Sequence, residues 1–202
     1  MLETTTDVRM SLFKNNKAGK NGGVISAERC TMLNVEGSYF ISNKANISGG
    51  VLNAVQTFTS FSNTLFVKNK AVHSRGGAIF LYLSALNISQ CNFRINIGAV
   101  GGAVALERIK TVIITWTIFS KNFADLSGGA ISILLYDSLL TRTVSICKSQ
   151  FTKNIANIGG AMYARGSLIL LSDSNFYENM AEGGIFQIFE STILFSHILP
   201  WL

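Results

Sequence analysis

The sequence predicts an all-β fold, a single-stranded, right-handed parallel β-helix of about seven coils. Three observations lead there. A Phe-x-x-Asn signature recurs at Phe13, Phe40, Phe66, Phe93, Phe119, Phe151 and Phe176. A Gly-Gly pair follows each copy, beginning at Gly22, Gly49, Gly76, Gly101, Gly128, Gly159 and Gly183. Between a pair and the next Phe lie β-branched and aliphatic stretches such as Ala78–Leu83 and Thr111–Trp116, with no helical period. The Phe-to-Phe spacings are 27, 26, 27, 26, 32 and 25 residues, so each repeat adds one unit of similar length.

Each repeat reads as one coil with two or three short strands. Coils stacked about 4.8 Å apart would give a rod roughly 34 Å long. In-register stacking explains the recurrence, because equivalent side chains then lie directly above one another. The phenylalanines form an apolar ladder inside. The asparagines three places on, Asn16, Asn43, Asn69, Asn96, Asn122, Asn154 and Asn179, form a second ladder. Their amides can bond each other and the turn backbone, and Asn tolerates a left-handed corner. Two residues after each Asn stands Ala, or Gly98 in one coil, where two sheets converge. The glycine pair permits positive φ and close backbone approach. A leucine-rich horseshoe would need its own Leu-rich series once per repeat, and none is in register.

The repeats run from about residue 11 to 190 without a linker, so residues 1–202 read as one solenoid. Residues 191–202 begin a degenerate further coil. Neither end supplies a clear polar cap, which suggests neighbouring coils of a longer parent chain. Met1–Asp7 lacks the basic start and apolar stretch of a secretory leader, and no apolar run is long enough for a membrane-spanning helix. Charged residues are 14% and apolar residues 48%, as suits strands with one buried face. The single proline, Pro200, lies outside the repeats.

Net charge is +6. Solubility alone would account for the surplus, but its phase is suggestive. Lys17, Lys44 and Lys70 follow the motif Asn in the first three coils, while Lys68, Lys121 and Lys153 precede it in the third, fifth and sixth. Stacked like charges repel, so such columns must be solvated or matched by an anion. An anionic glycan or a host or neighbouring cell surface fits; nucleic acid is not expected, since no aromatic binding module accompanies the lysines. Cys30, Cys91 and Cys147 are odd in number and out of phase, so free thiols are expected. Asn46-Ile-Ser48 and Asn87-Ile-Ser89 match the glycosylation acceptor pattern.

The alternation of Phe-x-x-Asn with Gly-Gly-Ala, as at Gly76–Ala78, Gly101–Ala103, Gly128–Ala130 and Gly159–Ala161, resembles the repeats of chlamydial polymorphic membrane proteins. Val24, Val51 and Ile185 depart from the Ala position, and Met162 from the aliphatic one after it. The resemblance implies a right-handed, pectin-lyase-like β-helix displayed outside the cell or on its surface and used in adhesion.

No residue set makes a catalytic, cofactor or metal site, and the expectation is a non-enzymatic scaffold. Glycoside hydrolysis typically needs two placed carboxylates. The aspartates, Asp7, Asp125, Asp137 and Asp173, fall at unrelated phases. The other readings are a carbohydrate-active enzyme, or a fragment of one, and a purely structural spacer. Ser145-Ile-Cys-Lys148 lies in a strand-like segment and lacks the companion motifs of Ser-x-x-Lys enzymes. The insertion around Tyr136–Thr143 belongs to the longest repeat, and insertions in solenoids often lie on a binding face. Tyr136, Asp137 and Arg142 are therefore candidate ligand contacts, with the lysine column Lys17, Lys44 and Lys70.

Overall fold

The computed structural model describes residues 4–135, 142–189 and 191–196. It is all-β, a parallel β-helix of seven coils. Each of the first six coils contributes four strands rather than the two or three expected, and the seventh has a single bridge at Met180 in place of its third. The third coil shows the pattern: Phe58–Ser62, Leu65–Val67, Lys70–Ala71 and Ile79–Tyr82. Stacking the equivalents makes four parallel sheets, here sheets I to IV in that order, of eight, seven, six and seven strands among the described residues. The extra strand escapes a pattern reading because in sheet III it is only two residues long in the first three coils. Thr192–Ser196 pairs with Ser167–Ser172 and starts a further coil, as the sequence suggests.

The sheets meet at four corners, and each corner is set by a backbone in the left-handed region. Between sheets I and II it falls on Met10, Gly37, Asn63, Gln90, Trp116, Lys148 and Asp173. Between II and III it falls on Asn15, Ser42, Lys68, Ile95, Lys121, Lys153 and Glu178. The motif asparagine is thus not the left-handed residue; the residue before it is, with φ of 51–59°, as at Lys68 (54°) and Ile95 (57°). The corner turns the chain one step early so that the Asn side chain can point inward.

Inside, Phe13 to Phe176 stack in one column with ring centroids 4.4–5.2 Å apart and planes within 12° of parallel. The five middle rings are fully buried. Aliphatic residues of sheets I and IV, such as Ile88, Ile114, Leu81 and Leu106, complete the core. Between III and IV the first glycine of the first six pairs has positive φ, 67° at Gly76. The second has no room for a side chain, since a Cβ on Gly77 would collide with the Gly102 carbonyl oxygen of the next coil. In the last pair the positive φ moves to Gly184.

Candidate functional site

Two classes of side chain line the corners, and they must be separated before any is given a function. The buried class is structural. The Asn43 backbone N–H and Nδ2 both donate to Asn69 Oδ1, at 3.0 and 3.1 Å, and Nδ2 also donates to the Phe13 carbonyl at 2.9 Å. The same bonds repeat up to Asn179. Each interior asparagine therefore uses both amide hydrogens and accepts two bonds, which leaves nothing to offer a ligand.

A further ladder stands two residues before each Phe: Ser11, Ser38, Thr64, Cys91, Thr117, Ser149 and Ser174. Each hydroxyl or thiol donates to the carbonyl two residues earlier, as Thr64 Oγ1 does to Ser62 at 2.8 Å. Most of them accept the N–H of the coil before, as Thr117 Oγ1 does from Cys91. Sequence reading passes over this ladder, although its fixed offset from Phe marks it. It also explains Cys91, a free, buried thiol standing in for a hydroxyl. Burial pushes that thiol up to about 12. Cys30 and Cys147 are free as well.

The exposed class is confined to outer faces. Lys17, Lys44 and Lys70 are in register on sheet III and all exposed, so they form one column. The same column continues through Ile97, Phe123, Ile155 and Met180. Its character thus changes from basic to apolar between the third and fourth coils. Phe123, Ile155 and Met180 are 38%, 41% and 63% exposed. They line an open groove of about 630 Å³ with Lys121, Lys153 and Glu178 on its border. Lys153 bonds Glu178 at 2.8 Å, which holds the Glu178 carboxyl below its ordinary range and the Lys153 ammonium above its own.

The remaining candidates do not converge with this column. Arg142 opens a strand of sheet I, paired with Ser167. Tyr136 and Asp137 lie outside the described residues. Asp7 is on sheet I, Asp125 on sheet III and Asp173 at a corner between I and II. Among the described residues no group of three or more acids, histidines or cysteines is placed to hold a metal. Among the described residues one acid is buried: Glu107, on sheet IV, faces Arg75 of the preceding coil with 2.9 Å between Oε1 and the guanidinium. Loss of water raises its pKa, and Arg75 and Arg108 offset part of the rise.

A β-helix whose ladders sit at these offsets defines a class of repeat protein, and comparison places the repeats. Residues 11–28 and 117–133 match the Chlamydia polymorphic membrane protein repeat. The chain is a parallel β-helix in which these two segments are similar to that repeat. It is also similar to two proteins of Dictyostelium discoideum. It is 32% identical over 122 residues to metabotropic glutamate receptor-like protein R, covering 59% of this chain and 7% of that protein. It is 30% identical over 122 residues to metabotropic glutamate receptor-like protein Q, covering 59% of this chain and 10% of that protein. The chain thus spans a small part of the curated relatives it matches. No solved structure matches it. No helix among the described residues is long and apolar enough to cross a membrane.

Proposed function

We propose that this chain is a non-enzymatic β-helix segment of an extracellular or cell-surface protein, serving adhesion or display. The observation that carries the reading is the in-register column Lys17–Lys44–Lys70, exposed on a rigid sheet. Strand spacing puts these ammonium groups on backbones about 4.8 Å apart, a repeat that suits a polymer of closely spaced anions such as an acidic glycan. The relatives support the surface role, since both are named as receptor-like. The scattered aspartates support a role without catalysis.

Retention on immobilised heparin tests the reading. The protein should be retained at low salt and released as salt rises, because screening acts over roughly 8 Å at physiological ionic strength. Changing all three lysines to Gln should shift elution to clearly lower salt. Unchanged elution would remove the column as a ligand surface. Release of reducing ends or unsaturated products from acidic glycans, lost on replacing one of the aspartates, would overturn the non-enzymatic reading.

A further inference from the structure

We infer that the apolar half of the sheet III face is a binding groove for a single-chain anionic amphiphile. Its head group sits on Lys68 and Lys70, and its alkyl chain lies along Ile97, Phe123, Ile155 and Met180. Both lysines are exposed and neither has an acidic partner within salt-bridge distance among the described residues. The four apolar residues follow in register, one per coil, directly after Lys70.

The dimensions agree. Three coil steps from Ile97 to Met180 span roughly 14 Å. One acyl chain in a lipid leaflet covers about 15 Å, half of the hydrocarbon core. Lys68 and Lys70 set the direction: at the opposite end Lys153 is already paired with Glu178, and Glu182 lines the adjoining pocket. An exposed apolar column bordered by charge on a soluble surface marks a contact site. An alkyl chain suits it better than a peptide. The groove lies on a sheet face, where strand N–H and C=O groups are already bonded to adjacent coils. A peptide there would leave its own backbone polar groups without partners against Phe123 and Ile155.

A second observation is local strain. Ile95 has φ of 57° in the corner row between Lys68 and Lys121. Among the described residues it is the one β-branched residue with positive φ, and that conformation is unfavourable for a branched side chain. Polar residues hold the same corner in the other coils. An isoleucine is kept there against its backbone preference, two residues before Ile97 of the apolar column.

The test is equilibrium dialysis of the intact chain with myristate, monomyristoyl phosphate and uncharged tetradecanol, each below its aggregation limit. Saturable binding of at least one anion is expected, with tetradecanol weaker by about tenfold. Preference for myristate identifies a fatty acid as the natural class, and preference for the phosphate identifies a phospholipid head. Ile155→Asp, on the exposed face, should abolish binding. Lys68→Glu with Lys70→Glu should reduce the anions to the level of tetradecanol. Ile95→Asn should weaken binding several-fold while raising the melting temperature, a pairing that a purely structural role for Ile95 would not produce. No saturable binding, or binding indifferent to Ile155→Asp, would overturn the assignment. So would saturable capture of an acidic, apolar peptide in place of the amphiphiles. Heparin retention uses Lys17 and Lys44 as well, so either result can fail without the other.

Discussion

Replacing Asn96 with Ala would show how much of the rod is held by its polar ladder. Asn96 is fully buried in the fourth coil. Its Oδ1 accepts the Asn69 N–H and one Asn69 Nδ2 hydrogen, both at 3.0 Å. Its Nδ2 donates to Asn122 Oδ1 and to the Phe66 carbonyl, both at 3.0 Å. Alanine keeps the Asn96 N–H bond to Asn122 but orphans two buried donors on Asn69. Each buried, unsatisfied group costs about 1–3 kcal/mol, so the expected loss is about 2–6 kcal/mol before any cavity contribution. That is a large part of a margin of about 5–15 kcal/mol. Asn16→Ala, at the partly exposed first rung, removes bonds only to one neighbouring coil and should cost less. Asn96→Asp separates the hydrogen bonds from the shape. It keeps both acceptors for Asn69 but, when ionised, turns an oxygen toward Asn122 Oδ1 and the Phe66 carbonyl. Its folded pKa must then rise above the usual value near 3.9. Stability of this variant should therefore grow as pH falls from 7 toward 4, when the acid can donate again. Urea melts of the three variants at pH 7 and 4 provide the measurement. An Asn96→Ala loss no larger than that of Asn16→Ala, or an Asp variant indifferent to pH, would refute the account of the ladder.

Three further outcomes are expected. Phe93→Ala should cost roughly 3–5 kcal/mol in urea melts, since a fully packed ring stacked on both faces leaves a hole, while Phe13→Ala, stacked on one face, should cost less. Cys91 has its pKa raised to about 12 by burial, so the unfolded thiol ionises first; stability should fall above the ordinary thiol range by roughly 1.4 kcal/mol per pH unit until about pH 12, relative to Cys91→Thr, and iodoacetamide should modify Cys30 and Cys147 before Cys91. Glu107, whose pKa is raised by loss of water, should make the wild type gain stability relative to Glu107→Gln as pH falls below neutrality, because the folded state takes up the proton more readily than the unfolded one; thermal melts of both between pH 7 and 4 check the sign.

The architecture was legible where one residue type alone satisfies a position. Only a flat ring fills the Phe column, and only a side chain with a donor and an acceptor closes the Asn column, so both recur by identity. The hydroxyl ladder was less legible because the position asks for a small γ heteroatom, which Ser38, Thr64 and Cys91 supply equally well. Corners were misplaced for a related reason. The left-handed residue is chosen by backbone geometry with its side chain in solvent, and residues as unlike as Ser42, Lys68 and Glu178 occupy it. The fourth strand per coil was hidden because pairs such as Lys17–Ala18 are too short to show alternation.

The same logic locates the information about function. Stacking makes an inward residue answer to the coils above and below it, so inward positions repeat and say little about a ligand. An outward position has no such obligation, and its solvent-facing side chain is free to differ from coil to coil. The residue after the motif Asn is such a position, and across seven coils it reads Lys, Lys, Lys, Ile, Phe, Ile, Met. Reading the first three alone gives a basic stripe; reading all seven gives a column with a charged end and an apolar end. Random drift on a solvated face would be expected to mix polar residues among the last four, because exposing Phe123, Ile155 and Met180 together leaves apolar surface in water at roughly 25 cal/mol per Å². Lys121 and Lys153 beside them show that polar residues are accommodated one corner away. The block order of the column, sustained against that cost, makes the exterior of sheet III, rather than any of the internal ladders, the place where a partner of this chain is to be sought.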